Sequence, residues 1–301
     1  MNVETSRDTI PVSPPDQSGM QGALRNINSP LPSLLMSLII MSNTESSDGF
    51  IKLEIVGLGG FGEAWKVQCK SKKEIFIMKT IPCYKIDTND FQLEVDILQS
   101  CRHENIVRYI DNFKVKSNYQ IVMEFYPGGD LSQAVKQRQN TGEQFSENTV
   151  LTWCYQLTAG LNYLRKKGIL HRDLKPANIF LTSSNVLKIG DFGVSRWLDQ
   201  GGGTADTVCG SPSYMAPEVT RGQRYDHRAD LWSLGCVLYE LCGLEKAFSG
   251  SLAHVMEAVT RGHFKPLPAG QHPLVSSIVP QLLSLHPEHR PSAEQILRKL
   301  R

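Results

Sequence analysis

Hydrophobic positions along this chain change period in a fixed order, and that order predicts strands first and helices later. Ile51, Leu53 and Ile55 alternate with polar residues, the period of two expected of a half-buried strand. Ile75-Phe76-Ile77-Met78-Lys79 is a second, continuous apolar strand that ends on a lysine. The spacing then switches. Phe91, Val95 and Leu98 fall at i, i+4 and i+7, one face of a helix. Tyr119 to Phe125 reads as another strand, and Pro127-Gly128-Gly129 breaks it before a helix start at Asp130-Leu131. After Ser146, the residues Val150, Cys154, Leu157, Leu161 and Leu164 trace the buried stripe of a long helix. Arg165-Lys166-Lys167 closes that helix, where positive charge suits the negative end of the dipole. Ser292 to Gln295 can form a capping box, and Ala293, Ile296, Leu297 and Leu300 make one face of a last helix.

Two short apolar runs, Ile179-Phe180-Leu181 and Val186 to Ile189, flank the polar stretch Thr182-Ser183-Ser184-Asn185 and predict a hairpin. Folding it about Ser184 and Asn185 brings Asn178 and Asp191 to the same end. An amide oxygen and a carboxylate then share one small volume, and hard oxygen ligands suit Mg²⁺ bound to phosphates. Asp173 lies at the same mouth. A lone Asp-Phe-Gly would read as an ordinary turn. The full order His171-Arg172-Asp173, Lys175, Asn178 and Asp191-Phe192-Gly193 resembles the catalytic and metal loops of eukaryotic-type protein kinases.

Val56-Gly57-Leu58-Gly59-Gly60-Phe61-Gly62 carries G-x-G-x-x-G, whose glycines let backbone N–H groups approach phosphates. Alone it would be a glycine-rich β-turn. No helix pattern opens after Gly62, which argues against the dinucleotide-binding version. The resemblance implies an ATP site built from Val56, Gly57, Gly59, Gly62, Ala64 and Ile77, with Phe180 as the adenine floor and backbone contacts at Glu124 and Tyr126. Met123 would gate the pocket behind adenine, or fill core, or both. Asp130 reads equally as a ribose or substrate contact and as a helix N-cap.

By the same resemblance, Lys79 holds the α- and β-phosphates and Glu94 orients it. Asn178 and Asp191 hold Mg²⁺. Asp173 orients the acceptor hydroxyl and takes its proton, and Lys175 neutralises charge on the moving phosphoryl group. Asp173-Leu174-Lys175-Pro176-Ala177-Asn178 and Gly210 to Met215 resemble serine/threonine kinases rather than tyrosine kinases. Glu218 of Ala216-Pro217-Glu218 is expected to pair with Arg290, and Asp230 to brace the catalytic loop. Arg172 can pair with a phosphate on the activation segment, with Thr207 the expected phosphosite and Thr204 second. An upstream kinase, or another copy acting in trans, would supply that phosphate.

The resemblance runs from about Phe50 to Arg301 and implies an α+β, bilobal fold. A small antiparallel sheet with one helix spans 50–122, a hinge 123–129 and a mainly helical lobe 130–301. Ala64, Phe180, Asn178-Ile179-Phe180-Leu181 and Met123-Glu124-Phe125 with Gly128-Gly129-Asp130-Leu131 are similar to the NIMA-related kinases. Ser213-Tyr214 departs from that family's paired tyrosines, and Gly201 to Gly203 looks like a small insertion. The intact set Lys79, Glu94, Asp173, Asn178 and Asp191 favours an active enzyme over the alternatives, a pseudokinase scaffold or a dual-specificity kinase.

With 301 residues, 41% of them hydrophobic, one kinase-sized unit is the expected content. A net charge of +2 gives no case for a nucleic-acid partner, and protein substrates are expected instead. The seven cysteines form no C-x-x-C pair, which fits reduced thiols in the cytoplasm; the subfamily leaves nucleus and cytoskeleton open. Residues 1–49 are rich in Ser, Pro, Asn, Asp and Gln up to Pro32, and are expected to be disordered or a docking extension. Their apolar run Leu34 to Met41 is too short to span a bilayer; translation starting at Met41 would exclude it.

Overall fold

The computed structural model describes residues 49–60, 62–198 and 203–301. Residues 1–48, with the apolar run 34–41, and residues 61 and 199–202, with Gly201 and Gly202, lie outside the described residues.

Five antiparallel strands form one sheet in the order β1-β2-β3-β5-β4: β1 (Phe50–Leu58), β2 (Glu63–Cys69), β3 (Ile75–Pro82), β4 (Tyr109–Val115) and β5 (Asn118–Glu124). Alternation along the strands gives the sheet two apolar faces. One face makes a small core of its own from Phe50, Trp65, Val67, Met78 and Val122. Phe50 packs edge-on to Phe76 at 5.9 Å between ring centroids. The other face, with Ile81 and Ile121, belongs to the main core and meets helix α1 (Thr88–Ser100). Phe91 of α1 stacks on Tyr119 at 4.2 Å. Asp87 caps α1 by accepting from the Asn89 N–H.

The second part is mainly helical: α2 (Leu131–Thr141), α3 (Glu147–Lys166), α4 (Pro217–Thr220), α5 (Arg228–Gly243), α6 (Leu252–Arg261), α7 (Pro273–Leu282) and α8 (Ala293–Lys299). Helix α5 is buried on nearly every side, as a helix through the middle of a core must be. Ser146 caps α3, and its buried residues include all five of the stripe from Val150 to Leu164. Helix α8 opens with the full capping box of Ser292 and Gln295.

Helix α3 carries the short strands that matter most. β7 (Ile179–Leu181) and β8 (Leu187–Ile189) pair antiparallel; β6 (Ile169–Leu170) pairs with β9 (Arg196–Trp197). The hairpin is bolted to α3 by Trp153 Nε1 donating to the Asn185 carbonyl at 3.1 Å and by Gln156 Oε1 accepting from the Leu187 N–H at 2.8 Å. At Gly160 the helix lies so close that a Cβ would stand 2.8 Å from Ile189 Cδ1. The Gly190 N–H donates to the Asn178 carbonyl at 2.8 Å, which closes the hairpin mouth. Among the described residues, no helix is long and apolar enough to cross a membrane.

Candidate active site

Lys79 stands mid-sheet, opposite Ala64 on β2 and Ile121 on β5. Its Nζ donates to Glu94 Oε1 at 2.7 Å and to Asp191 Oδ1 at 2.9 Å. One lysine thus ties the sheet, α1 and the hairpin mouth together. Burial alone would lower its pKa, but the Glu94 and Asp191 carboxylates outweigh burial and the net shift is upward, so Lys79 stays charged. Burial pushes Glu94 up against the pull of Lys79. For Asp191 burial also pushes upward, yet Lys79 prevails and holds the carboxyl below its usual range. Gly193 stands two residues on, and a Cβ there would lie 3.1 Å from Lys79 Nζ.

The loop from His171 to Asn178 hangs from α5. Asp230 accepts from the backbone N–H groups of His171 and Arg172, each at 2.9 Å. His171 is buried, with Nε2 3.0 Å from the Gly190 carbonyl, so loop and hairpin share one anchor. Arg172 and Asp191 both hold positive φ, 71° and 59°. Strain of this kind in non-glycine residues gathers at functional sites.

Asp173 Oδ2 accepts from Lys175 Nζ at 2.7 Å and from Asn178 Nδ2 at 3.0 Å. Its other oxygen, Oδ1, is buried and has no partner. Asn178 also donates to the Asp173 carbonyl at 2.8 Å. Both of those contacts use the amide nitrogen, and its Oδ1 is a hard donor of the kind Mg²⁺ takes. Lys175 reaches on to Ser211 Oγ at 2.8 Å. A cavity of about 290 Å³ opens beside this group, lined in part by Lys175, Ala177, Ser211, Tyr214, Glu240 and Lys246.

The other expected nucleotide residues lie on β1, β2, β3, β5 and β7 and on the connections from β1 to β2 and from β5 to α2. Across β2 and β3, Ala64 pairs with Lys79 and Ile77 with Lys66, and Ile77 pairs with Met123 on β5. Met123 is half-buried and packs against the main core, as a core-filling residue does. The Glu124 N–H is taken by the Arg108 carbonyl at 3.0 Å. Tyr126 turns its ring inward and its hydroxyl donates to Glu124 Oε2 at 3.3 Å. The hinge is pinned over Phe180: the Gly128 N–H meets the Leu181 carbonyl at 3.0 Å, and a bridge joins Asp130 to Phe180. Asp130 caps α2, accepting from the Gln133 N–H at 3.0 Å and Gln133 Nε2 at 2.6 Å. Of its two sequence readings, the cap is the one the geometry displays.

In the glycine loop, Gly59 and Gly62 exchange backbone hydrogen bonds at 2.9 and 3.2 Å, which folds the tip on itself. A Cβ at Gly62 would collide with the Thr80 carbonyl, a demand of the sheet rather than of phosphate. Val56 is 45% exposed and Gly57 faces Ala64.

Thr204 and Thr207 are exposed. Arg172 donates through Nε to the Val194 carbonyl, and its Nη1 is buried without a partner. Glu218 and Arg290 meet in a buried two-pronged pair at 2.6 and 2.8 Å. Sequence reasoning missed two further contacts. Tyr214 donates to Glu240 Oε2 at 2.6 Å, and Tyr225 donates to the Thr207 carbonyl at 2.7 Å. Glu240 sits in a stretch of α5 that reads as plain core, and no spacing marks Tyr225.

Residues 50–300 match the family model for the protein kinase domain. The chain is 39% identical over 251 residues to the serine/threonine-protein kinase Nek3 of Mus musculus, covering 83% of this chain and 49% of that protein. It is 35% identical over 257 residues to the human serine/threonine-protein kinase Nek5, covering 84% and 36%. To the serine/threonine-protein kinase nekl-2 of Caenorhabditis elegans it is 37% identical over 266 residues, covering 83% and 73%. The chain therefore spans about half, or less, of the mouse and human relatives.

Proposed function

Since the chain belongs to the protein kinase family and, within it, to the NIMA-related serine/threonine kinases, we propose that it moves the γ-phosphoryl group of ATP to Ser or Thr hydroxyls of protein substrates. The observation that carries the residue assignment is Asp173. One oxygen is held by Lys175 and Asn178; the other is buried and free to take a proton. That is the arrangement general-base chemistry needs: a fixed carboxylate with one lone pair presented to the acceptor.

The donor set fits Mg²⁺. Asp191 is kept ionised beside Lys79, and the Asn178 amide supplies a neutral oxygen. Bound there with ATP, the ion would offset charge on the β- and γ-phosphates. This chain's own groups do the rest. Lys79, steadied by Glu94, meets the phosphates from the sheet side. Lys175, already between Asp173 and Ser211, offsets charge where phosphoryl group and acceptor hydroxyl meet. The cavity beside Lys175 receives a substrate residue next to the acceptor. Thr207 is the regulatory phosphosite, Thr204 a lesser one, and a phosphate at Thr207 would answer the partnerless Nη1 of Arg172.

Mg-ATP, the purified full chain and a degenerate Ser/Thr peptide array test this. The expected result is transfer to Ser or Thr, with Asp173→Ala and Lys79→Met each down by about a hundredfold or more while circular dichroism stays native. Wild-type turnover in either folded variant would overturn the assignment.

A further inference from the structure

Tyr225 precedes α5 and has no part in the chemistry above, yet it holds the activation segment at three points. Its backbone forms a two-way bridge with Ala205: the Tyr225 N–H donates to the Ala205 carbonyl at 2.9 Å, and the Ala205 N–H donates to the Tyr225 carbonyl at 2.8 Å. Its hydroxyl donates to the Thr207 carbonyl at 2.7 Å. The Cys209 thiol lies 3.8 Å from the same hydroxyl. The ring is 4% exposed, although Thr207 on the far side of that bond is open to solvent. Burial raises the hydroxyl to about 12, with Cys209 adding to the rise and the neighbouring Arg172 guanidinium opposing it. The hydroxyl is therefore a neutral donor at any working pH.

This places Tyr225 between two groups that matter to phosphoryl transfer. On one side is Arg172, next to the base Asp173. On the other is the stretch from Thr207 to Ser211, whose last residue is bound by Lys175. We propose that Tyr225 is a positioning residue: its hydroxyl tethers the Thr207 backbone beside Arg172 and keeps the acceptor-facing part of the activation segment in place when Thr207 carries no phosphate. Phosphate on Thr207 would add a second tether, from the same stretch to Arg172, and make the hydroxyl dispensable. The inference rests on the kinase reading of the site.

Tyr225→Phe keeps the ring and deletes only the hydroxyl. In the phosphatase-treated full chain, kcat/KM for a peptide substrate is expected to fall about five- to tenfold, the worth of one hydrogen bond. The loss appears in peptide KM and kcat, while KM for ATP is unchanged. With Thr207 phosphorylated, the variant returns to within about twofold of wild type, as a lost bond should once it is redundant. Equal activity of the two unphosphorylated proteins, or a loss that persists after phosphorylation, would overturn the tether. Amide hydrogen exchange across 203–210 gives a second readout that does not depend on turnover. Exchange rises in the unphosphorylated variant if the tether is real and is unchanged if it is not. Absence of transfer by wild type would sink the kinase reading, and exchange would still decide the tether.

Discussion

Gly210 rests on the backbone of Arg172: a Cβ built on the glycine would lie 2.5 Å from the Arg172 carbonyl oxygen. Its φ of +108° is also one that side chains rarely adopt. The activation segment and the catalytic loop therefore touch main chain to main chain, one residue before Ser211 and one before Asp173. Gly210→Ala must push the two apart or bend the segment, at a cost of about 1–3 kcal/mol. The displaced neighbour is Ser211, so the Lys175 contact loosens. The expected result is a fall in kcat of at least tenfold, with nucleotide affinity by fluorescence titration unchanged. Native kcat in the variant would mean that this contact has no bearing on catalysis.

Acid should silence the enzyme before it unfolds it. Two carboxylates share Lys79, and their environments push them in opposite directions. Burial raises Glu94 above 4.5; Lys79 holds Asp191 below 3.8 against its own burial. As pH falls, Glu94 takes its proton first, and Lys79 loses one of its two braces. A carboxyl raised in the folded state binds its proton there before the unfolded chain does, so this step does not favour unfolding. Asp191 has the opposite sign. Its contribution is present above 3.8 and is lost as pH falls through its lowered folded value. Activity is expected to decline while the unfolding midpoint holds, and Glu94→Gln should remove that acid limb along with most of the rate. Parallel loss of activity and structure on one acid titration would contradict this.

The parts legible in the sequence were those whose geometry is local or periodic. The hairpin of β7 and β8 was readable because both runs and their turn are contiguous. Helix α3 was readable because five of its buried positions, Val150 to Leu164, repeat at helical spacing. The family and the bilobal α+β fold were likewise legible from ordered motifs. Strand β4 was not singled out, since the register shift between Tyr109 and Asp111 breaks its alternation. The small core on the outer face of the sheet was also hidden, because Phe50, Met78 and Val122 meet only through strand pairing across distant segments. Tyr225 and Glu240 act through contacts with residues 18 and 26 positions away, and no local pattern encodes such a meeting. Asp130 could be read two ways because one short carboxylate suits both a cap and a ligand; only the positions of Ser132 and Gln133 decide between them.

Phosphate at Thr207 should matter more than phosphate at Thr204. Both threonines are exposed, but only Thr207 has its backbone tied beside Arg172 through Tyr225. Arg172 Nη1 is buried and without a partner, an expensive state for a guanidinium that a phosphate would relieve. Thr207→Ala in enzyme activated by incubation with Mg-ATP is expected to lower kcat by about tenfold or more, whereas Thr204→Ala stays within about twofold. Phosphopeptide mass spectrometry of the same samples places the group. Full activity of Thr207→Ala, or a larger effect at Thr204, would shift regulation elsewhere in the segment.

The pair Glu218–Arg290 should be among the strongest single determinants of stability in the helical part. Both side chains are buried, with guanidinium and carboxylate in matched two-pronged contact at 2.6 and 2.8 Å. Arg290 also donates to the carbonyls of Ser284 and Arg228, and it lies 5.1 Å over the Trp232 ring. Removing one partner leaves an uncompensated charge in a dry interior, a loss of about 3–5 kcal/mol. Arg290→Leu is therefore expected to lower the urea midpoint sharply. Arg290→Lys should recover little, because an ammonium cannot make the paired contact or keep the stacking. Adding Glu218→Leu to Arg290→Leu should restore part of the loss, since no lone charge then remains. Activity need not follow stability in that double variant, because Glu218 lies at the end of the activation segment and its helix α4 would lose its anchor. An Arg290→Leu protein with the wild-type midpoint would show that this pair contributes nothing net to the fold.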